Sequence, residues 1–350
     1  MDLYNNNLYN DDLDYICTLD LPWDKLAGKK ILISGATGLI GSFLVDSLMK
    51  KNTYGLNCTI FAVSRNTGIF TKRFSKWIGS RFLNFIPCDI NNPLNLEEPE
   101  IMDFVLHLAS NTHPVQYAAN PIETITTNII GVNNLLKFSA DHHTSRFAFA
   151  SSNDIYGENR GDVEFFDEGY CGYINSNTMR AGYPESKRCG EALCQAYKKQ
   201  KDLNIVISRL PRTYGPTMRM DDSKAVSQFI RKCISGEDIV LKSSGSQFYS
   251  FVYMADAVSG MLYILLKGEN GEAYNIADPQ SDISLRDLAS LLAGISGKKV
   301  VFETANVAEA AGYGNITKAR LNGDKLRSLG WNAKYDIKIG MERTIKILQS

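Results

Sequence analysis

The stretch that decides the fold is KILIS at residues 30–34, followed directly by GATGLIG at residues 35–41. KILIS is an apolar run typical of a buried strand, and residues 42–50 (SFLVDSLMK) have the apolar spacing of a helix. Glycines between a strand and a helix let the backbone turn sharply and approach a pyrophosphate, whose charge then meets the helix N-terminus. The context predicts a dinucleotide-binding turn, with the spacing GxxGxxG instead of GxGxxG; a turn with a purely structural role is the alternative.

The rest of the chain continues this alternation of strands and helices. Further strands are predicted at 59–63, 84–87, 104–108, 146–150 and 204–209, with helices at 128–140 and 183–198. Strands that are separated by helices imply a parallel sheet. We therefore expect an α/β fold, with a Rossmann-type doubly wound parallel sheet and a smaller mixed α/β C-terminal substrate domain.

Three regions follow from this pattern. Residues 1–28 are expected to form an N-terminal leader packed on the body, with Leu21, Pro22 and Trp23 as its anchor. Residues 29–210, with part of 250–278, form the predicted dinucleotide-binding domain. After Pro211 the pattern changes to a cluster of Gly, Pro and Met, a helix at 226–234 and short strands at 239–242 and 250–253. Residues 211–249 and 279–350 are therefore assigned to the substrate-binding domain.

Composition excludes several classes of partner. The 350 residues contain 38 Lys+Arg and 38 Asp+Glu, and this balance argues against broad capture of nucleic acid or of an anionic membrane surface. Seven scattered cysteines without a CxxC pair are typical of reduced thiols. The acidic, Asn-rich N-terminus does not resemble a signal peptide, and no apolar run is long enough to span a bilayer. We therefore predict a cytoplasmic protein, and four histidines without ligand spacing predict no metal site.

The end of the second predicted strand bears on the choice between NAD and NADP. An acid normally stands there for the ribose 2′-hydroxyl, but residues 62–66 read AVSRN. Arg65 could pair with the 2′-phosphate of NADP, stack on the adenine of NAD, or be a solvated surface residue. Asp89 follows the next strand and is placed to accept a hydrogen bond from the adenine amine; a turn-capping role is the alternative.

The candidate catalytic pair is Tyr183 and Lys187, in the sequence YPESK. Residues i and i+4 of a helix share one face, so the phenol and the ammonium can point into the same cleft. A free phenol has a pKa of about 10, and a neighbouring Lys⁺ favours the phenolate, which makes the tyrosine a usable general base. Taken alone, such a spacing more often marks a surface helix.

Ser152 strengthens the catalytic interpretation because it follows the predicted strand RFAFAS. A residue there lies at the carboxyl end of a central strand, where open α/β sheets bind ligands. Its hydroxyl could orient the substrate hydroxyl that Tyr183 deprotonates. The alternative for Ser151 and Ser152 is a pair of strand-end caps.

Six motifs together resemble one enzyme family. They are GATGLIG, HLAS (107–110), TNIIGVNNLL (127–136), SSNDIYG (151–157), YPESK (183–187) and RTYGP (212–216). This set is similar to the extended short-chain dehydrogenase/reductase family, and to its nucleotide-sugar epimerase/dehydratase branch. The likeness runs from about Lys29 to LGW at 329–331, and it is far more specific for the family than for any one substrate.

The resemblance implies a chemistry and a set of site residues. Tyr183 would remove a proton while a hydride leaves a sugar carbon, usually C4, for the nicotinamide, and Lys187 would bind the nicotinamide ribose. The candidate catalytic residues are Ser152, Asn153, Asp154, Tyr183 and Lys187. The candidate cofactor residues, for NAD with NADP as the alternative, are Gly35, Thr37, Gly38, Leu39, Ile40, Gly41, Ser64, Arg65, Asp89, Ile90, Leu108, Ala109, Ser110, Asn128, Tyr183, Lys187 and Leu210. The candidate substrate residues are Thr112, Ser152, Arg212, Gln228, Arg231 and Tyr249. The resemblance also implies a homodimer through helices at about 122–140 and 183–199.

The sequence departs from the branch at two substrate positions. Tyr249 stands where the branch commonly has an arginine that holds the diphosphate, and Arg212 stands where it commonly has an asparagine. We expect Arg212 to supply the missing positive charge, since a guanidinium can bind phosphate oxygens through two parallel hydrogen bonds. A salt bridge of Arg212 at the domain junction is the alternative.

A third departure concerns the step after oxidation. Dehydratases of the branch place Asp-Glu after the catalytic Thr, whereas this chain has Asn153 and Asp154. An amide cannot donate a carboxylic proton, so elimination of water is disfavoured. Epimerisation, ketone reduction and loss of CO₂ from an oxidised uronic acid stay open.

Three functions compete at this point. The first is a nucleotide-sugar enzyme with tightly held NAD, most plausibly a 4-epimerase, with a decarboxylase of the same branch as an alternative. The second is an NADPH-dependent reductase of a keto-sugar, which Arg65 would support. The third is a dinucleotide-binding sensor without turnover, which the presence of Ser152, Tyr183 and Lys187 argues against.

Overall fold

The computed structural model describes residues 3–94, 101–111, 120–304 and 317–350. The strands, in chain order, are Lys30–Ser34 (β1), Thr59–Ser64 (β2), Leu83–Pro87 (β3), Phe104–His107 (β4), Arg146–Ser152 (β5), Ile205–Leu210 (β6), Arg212–Tyr214 (β7), Ile239–Leu241 (β8), Phe248–Tyr253 (β9), Ala273–Asn275 (β10), Asp282–Ser284 (β11), Val300–Phe302 (β12) and Lys318–Ala319 (β13). The α-helices are Asn7–Cys17 (α1), Leu39–Asn52 (α2), Thr67–Arg73 (α3), Pro121–Thr126 (α4), Val132–Asp141 (α5), Gly182–Lys201 (α6), Ala225–Ile234 (α7), Met254–Lys267 (α8), Leu285–Ser296 (α9), Asp324–Arg327 (α10) and Ile337–Gln349 (α11).

The centre of the fold is a seven-stranded sheet in the order β10-β6-β5-β4-β1-β2-β3. Every neighbouring pair in it runs parallel. Helices cover both faces, so a central strand such as β1 is buried on both sides and its residues 31–33 are all apolar and inaccessible. The predicted parallel α/β fold is confirmed.

A second, smaller sheet forms beyond the end of β6. In it β9 lies between β11 and β13, and β7 pairs with β9. Strands β8 and β12 pair with each other, and α9 packs against α7 and β8. Strand β7 begins two residues after the end of β6, so the second sheet starts at the carboxyl end of a central strand. The assignment of these residues to a separate domain stays a prediction.

The segment that the sequence predicts as one helix at 128–140 begins earlier and is interrupted. It consists of α4, a π-helical turn at Thr127–Gly131, and α5. A π-turn inserts one extra residue without disturbing the apolar spacing on either side, so the pattern of the sequence does not reveal it.

The N-terminal segment packs on the body mainly through α1. Tyr9, Leu13 and Ile16 are fully buried, and α1 contacts α2, α8 and α11. Leu21 of the expected anchor is also buried, and Trp23 packs against the same core. No helix within the described residues is both long and apolar enough to cross a membrane.

Candidate active site

The glycine turn after β1 is packed too closely for side chains. Gly35 has φ +68°, and a Cβ atom there would lie 2.7 Å from the backbone nitrogen of Ala109. A Cβ on Gly41 would collide with the carbonyl oxygen of Gly35. Helix α2 starts with Gly38 as its N-cap, and no side chain caps it. The free N–H groups of its first turn and the bare turn before them fit a pyrophosphate.

The strands beside this turn hold it in place through short polar contacts. The Thr37 Oγ1 and Ser64 Oγ atoms are 3.0 Å apart, which joins the turn to the end of β2. Ser34 Oγ accepts hydrogen bonds from the backbone nitrogens of Leu108 and Ala109, at 3.2 and 3.3 Å. The predicted cofactor residues of β1, β2 and β4 therefore meet at one edge of the sheet.

His107 is a residue of this edge that the sequence reasoning missed. Its Nδ1 lies 2.7 Å from Ser34 Oγ, and its Nε2 is buried without a partner among the described residues. Burial, reinforced by the charge of Lys187, lowers the pKa of His107 to about 3. His107 is therefore neutral near pH 7, and the HLAS motif was the signal that could have identified it.

The two residues that were expected near the adenosine make local contacts. Arg65 donates to Glu123 at 3.0 Å, and both side chains are largely exposed. Asp89 Oδ1 accepts from the backbone nitrogen of Asn91 at 3.0 Å, as a turn residue does. Ile90 packs against Gly131, and a Cβ added to Gly131 would lie 2.6 Å from the Cδ1 of Ile90.

The catalytic candidates collect at the end of β5. Ser152 is the last residue of β5, and it pairs with Leu210 of β6. Tyr183 and Lys187 are buried on one face of α6. Lys187 Nζ donates to the carbonyl oxygen of Ala150 at 2.8 Å. The structure therefore brings Lys187 to within two residues of Ser152 along the strand.

Close packing of α6 on β5 sets the position of Lys187. A Cβ on Gly190 would lie 2.7 Å from Phe149 Cζ, so only glycine allows the helix to come this close. Lys187 Nζ lies 5.0 Å from the centre of the Phe149 ring. Burial lowers the pKa of Lys187 to about 8, and the negative charge of Glu191 opposes this only in part. The ammonium is thus kept close to its titration point.

Asn128 connects the loop after β4 to helix α6, which carries Tyr183 and Lys187. It is fully buried in the π-helical turn. Its Oδ1 accepts from Ser110 Oγ at 2.8 Å, and its Nδ2 donates to Ser186 Oγ at 2.9 Å. Ser186 Oγ in turn donates to the carbonyl oxygen of Tyr183 at 2.8 Å. This chain of hydrogen bonds fixes α6 relative to the cofactor edge.

The residues that depart from the branch pattern lie in contact. The Arg212 guanidinium carbon is 3.4 Å from the centre of the Tyr249 ring. Arg212 pairs with Phe251 across the β7–β9 ladder, which puts Tyr249 two residues away on the same face. Arg212 forms no ion pair with any described carboxylate, so the expected alternative of a junction salt bridge is not seen. Its Nη1 is buried and has no hydrogen-bond partner among the described residues.

Two further charges act on the Tyr249 phenol. Burial raises the pKa of Tyr249, Asp154 adds to this rise, and the positive charges of Arg212 and Arg180 oppose it. Asp154 lies in the 3-10 turn Asn153–Tyr156, and its backbone nitrogen donates to Ser152 Oγ at 3.2 Å. Arg180 was missed because it lies in a short 3-10 turn, Met179–Ala181, which has no periodic pattern in the sequence. These groups place mixed charge next to the end of β5.

Two predicted substrate residues of α7 are engaged with the loop before it. Gln228 Nε2 donates to the carbonyl oxygen of Ser223, and Arg231 Nη1 to those of Met220 and Asp222. Both side chains therefore hold this loop in the structure. Thr112 lies outside the described residues.

The profile described as "NAD dependent epimerase/dehydratase family" matches residues 31–277. The chain belongs to this family. One curated relative is UDP-glucuronic acid decarboxylase 1 of Xenopus tropicalis, which is 32% identical over 91% of this chain and 71% of that one. Another is UDP-glucuronic acid decarboxylase 5 of Arabidopsis thaliana, 33% identical over 90% of this chain and 88% of that one.

Solved structures of the family share the fold. The UDP-glucuronic acid 4-epimerase of Bacillus cereus, in complex with UDP-glucuronic acid and NAD, superposes with a TM-score of 0.76. It is 24% identical, with coverage of 91% of this chain and 98% of that one. The dTDP-glucose 4,6-dehydratase of Streptomyces venezuelae, with NAD bound, superposes with a TM-score of 0.78 at 22% identity. The match covers 91% of this chain and 96% of that one.

Family membership confirms part of the sequence interpretation. An NAD-dependent enzyme of the epimerase/dehydratase family was predicted, and the family and its fold are as expected. The 4-epimerase that the sequence put first is less well supported than its alternative, since the curated relatives are UDP-glucuronic acid decarboxylases.

Proposed function

We propose that the protein is a UDP-glucuronic acid decarboxylase-type enzyme, which oxidises C4 of a nucleotide-linked hexuronic acid and releases its carboxyl group as CO₂. The observation that carries this proposal is the meeting of Lys187 and Ser152 at the end of β5, with Arg212 and Asp154 beside them. The names of the curated relatives support the decarboxylation step.

Tyr183 acts as the base for the C4 hydroxyl. Lys187 lies one helical turn further on the same face, and its positive charge favours the phenolate form of the tyrosine. Ser152 donates to or accepts from the same sugar hydroxyl and orients it. NAD, which the glycine turn and Lys187 would hold, would supply the redox chemistry by reversible hydride transfer at C4.

Loss of CO₂ follows from the ketone without an acid pair. A 4-keto group is β to the C6 carboxylate, so the C5–C6 bond can break with its electrons moving into the ketone. A proton must then be delivered to C5. Asp154, near the Tyr249 phenol, is the candidate to hold the water or proton for this step. Asn153 cannot donate a carboxylic proton, which disfavours elimination of water.

Arg212 provides a positive charge for the substrate. Its Nη1 is buried and unpartnered among the described residues, and leaving a buried donor of this kind unsatisfied is costly. A substrate oxygen anion would satisfy it. Stacking on Tyr249 holds the guanidinium plane in a fixed orientation for that contact.

The test is incubation of purified protein and NAD with UDP-glucuronic acid, with CO₂ and the sugar product followed together. We expect one CO₂ per substrate consumed, a UDP-pentose by NMR, and no net reduction of NAD. UDP-galacturonic acid without CO₂ would instead identify a 4-epimerase. Consumption of NADPH in one direction would identify the reductase. UDP-glucose, which has no carboxyl group to lose, is the matched control substrate.

We also propose that the protein is a homodimer. Ile122 and Ile130 expose 78% and 43% of their surface on the segment that the family resemblance assigns to the interface. Burial of such side chains against a second copy would stabilise the pair. Light scattering should give twice the mass of the chain, and Ile122→Glu should lower it.

A further inference from the structure

The segment before β1 lies outside the family match, which begins at residue 31. We call residues 3–26 the N-terminal strap. Helix α1 within it lies along α2, the helix that begins at the glycine turn. The strap also contacts α8 and α11, so it bridges elements from both ends of the chain.

One end of the strap binds a carboxylate on the cofactor helix. Asp46 of α2 is fully buried and accepts hydrogen bonds from four described side chains. Tyr4 and Tyr9 of the strap donate at 2.9 and 2.5 Å. Arg73 and Trp77 donate at 2.6 and 2.8 Å. Two of the four donors to this buried carboxylate therefore come from the strap.

The other end of the strap binds the second sheet, α8 and the C-terminal helix α11. Asp12, also fully buried, accepts from the Tyr253 hydroxyl at 2.5 Å and from Arg343 Nε at 3.0 Å. Tyr253 ends β9, the strand that also carries Tyr249. Tyr15 donates to Asp256 of α8 at 3.3 Å. Helix α1 thus spans from α2 to β9 and α11.

A shift of α2 would reach the cofactor turn directly. Asp46 lies about two helical turns after Gly38. Gly41 packs directly against the Gly35 carbonyl, so a movement of the helix would also move the turn. Affinity for an anion at a helix N-terminus depends on N–H groups that are held in position before binding. A loosened α2 would lose part of that preorganisation.

We propose that the N-terminal strap is a positioning element for NAD, and that Tyr9, through Asp46, holds α2 in the geometry that retains the cofactor. The strap touches no reacting atom; it acts through α2. This inference rests on the NAD dependence of the family and not on the decarboxylation step, so either can fail without the other.

The experiment compares two tyrosine-to-phenylalanine variants in the full-length protein, stripped of nucleotide. Tyr9→Phe removes the buried tyrosine hydroxyl that donates a hydrogen bond to Asp46. Tyr274→Phe is the matched control, since Tyr274 is also buried, with its hydroxyl accepting from the Glu269 nitrogen at the far edge of the sheet. Calorimetry gives the dissociation constant for NAD, and thermal melts without NAD give stability.

We expect Tyr9→Phe to weaken NAD binding by about tenfold, which corresponds to about 1.4 kcal/mol. Tyr274→Phe should melt earlier than wild type yet bind NAD within about twofold of it. At saturating NAD, Tyr9→Phe should recover its kcat. If Tyr9→Phe does not fold, Tyr4→Phe makes the same test, because Tyr4 is only partly buried. A strap variant that melts early but binds NAD like wild type would overturn the proposal.

Discussion

Lys187 offers the sharpest quantitative test, because its burial is costly for stability and the proposed mechanism requires its charge. It is 3% exposed, and no carboxylate of the described residues forms an ion pair with it. Its pKa falls from the ordinary 10.5 to about 8 because of burial. Each pKa unit is about 1.4 kcal/mol, so the protonated side chain costs the folded state about 3 kcal/mol near pH 7.

Replacing Lys187 by methionine removes this cost and keeps the apolar stem. It also removes the hydrogen bond to the Ala150 carbonyl, which is worth about 1 kcal/mol. We therefore expect Lys187→Met to be more stable than wild type by about 2 kcal/mol near pH 7, while losing turnover. Active sites commonly trade stability for function in this way.

The pH dependence gives this prediction a definite sign. Between the folded pKa of about 8 and the unfolded value of 10.5, the unfolded chain binds more protons at this lysine than the folded chain does. Wild-type stability therefore rises through this window from the Lys187 contribution, and the advantage of Lys187→Met shrinks.

Urea unfolding of nucleotide-free protein, near pH 7 and again near pH 10, measures the effect. Lys198→Met is the control, since Lys198 lies on the same helix and its ammonium donates to the Asn270 carbonyl at an exposed site. Its stability should stay within about 0.5 kcal/mol of wild type at both pH values. The reasoning is refuted if Lys187→Met is less stable than wild type near pH 7, or if the difference does not change with pH.

Three further predictions concern the site. Tyr183→Phe should lower kcat by at least about a hundredfold with little change in the dissociation constant of the nucleotide sugar, and retained activity would exclude Tyr183 as the base. Arg212→Ala should raise the Michaelis constant for UDP-glucuronic acid by about ten- to a hundredfold, whereas Arg65→Ala, which breaks only an exposed ion pair, should leave it unchanged; equal effects would argue against a substrate contact for Arg212. Gly41→Ala should abolish tight NAD binding, because its methyl group would meet the Gly35 carbonyl, and calorimetry showing unchanged affinity would contradict the packing.

Local patterns predicted the central sheet, and they were also enough to select the candidate catalytic residues. KILIS and the glycine turn are adjacent in sequence, and Tyr183 and Lys187 are related by one helical turn, so neighbouring residues contain the whole signal. Strand boundaries at β2, β5 and β6 differ from the predicted ones by two residues or fewer.

Contacts between distant residues were not accessible in this way. Tyr253 and Asp12 are 241 residues apart in the chain, so the residues around Asp12 in the sequence do not indicate its partner. The sequence of α1 therefore predicted only an Asn-rich leader. It did not reveal a helix whose side chains take part in the hydrogen bonds around the buried Asp46 and Asp12. The stacking of Arg212 on Tyr249 depends on the pairing of β7 with β9, and register between such strands is set by the fold as a whole.

The most direct test of the central claim is the rate of CO₂ release from UDP-glucuronic acid that carries either hydrogen or deuterium at C4. If NAD-dependent oxidation at C4, with Tyr183 as the base, must precede decarboxylation, deuterium should slow single-turnover CO₂ release by a primary isotope effect, and the UDP-pentose should keep the label at C4. CO₂ release at equal rates from both substrates, together with loss of the label to solvent, would contradict the account.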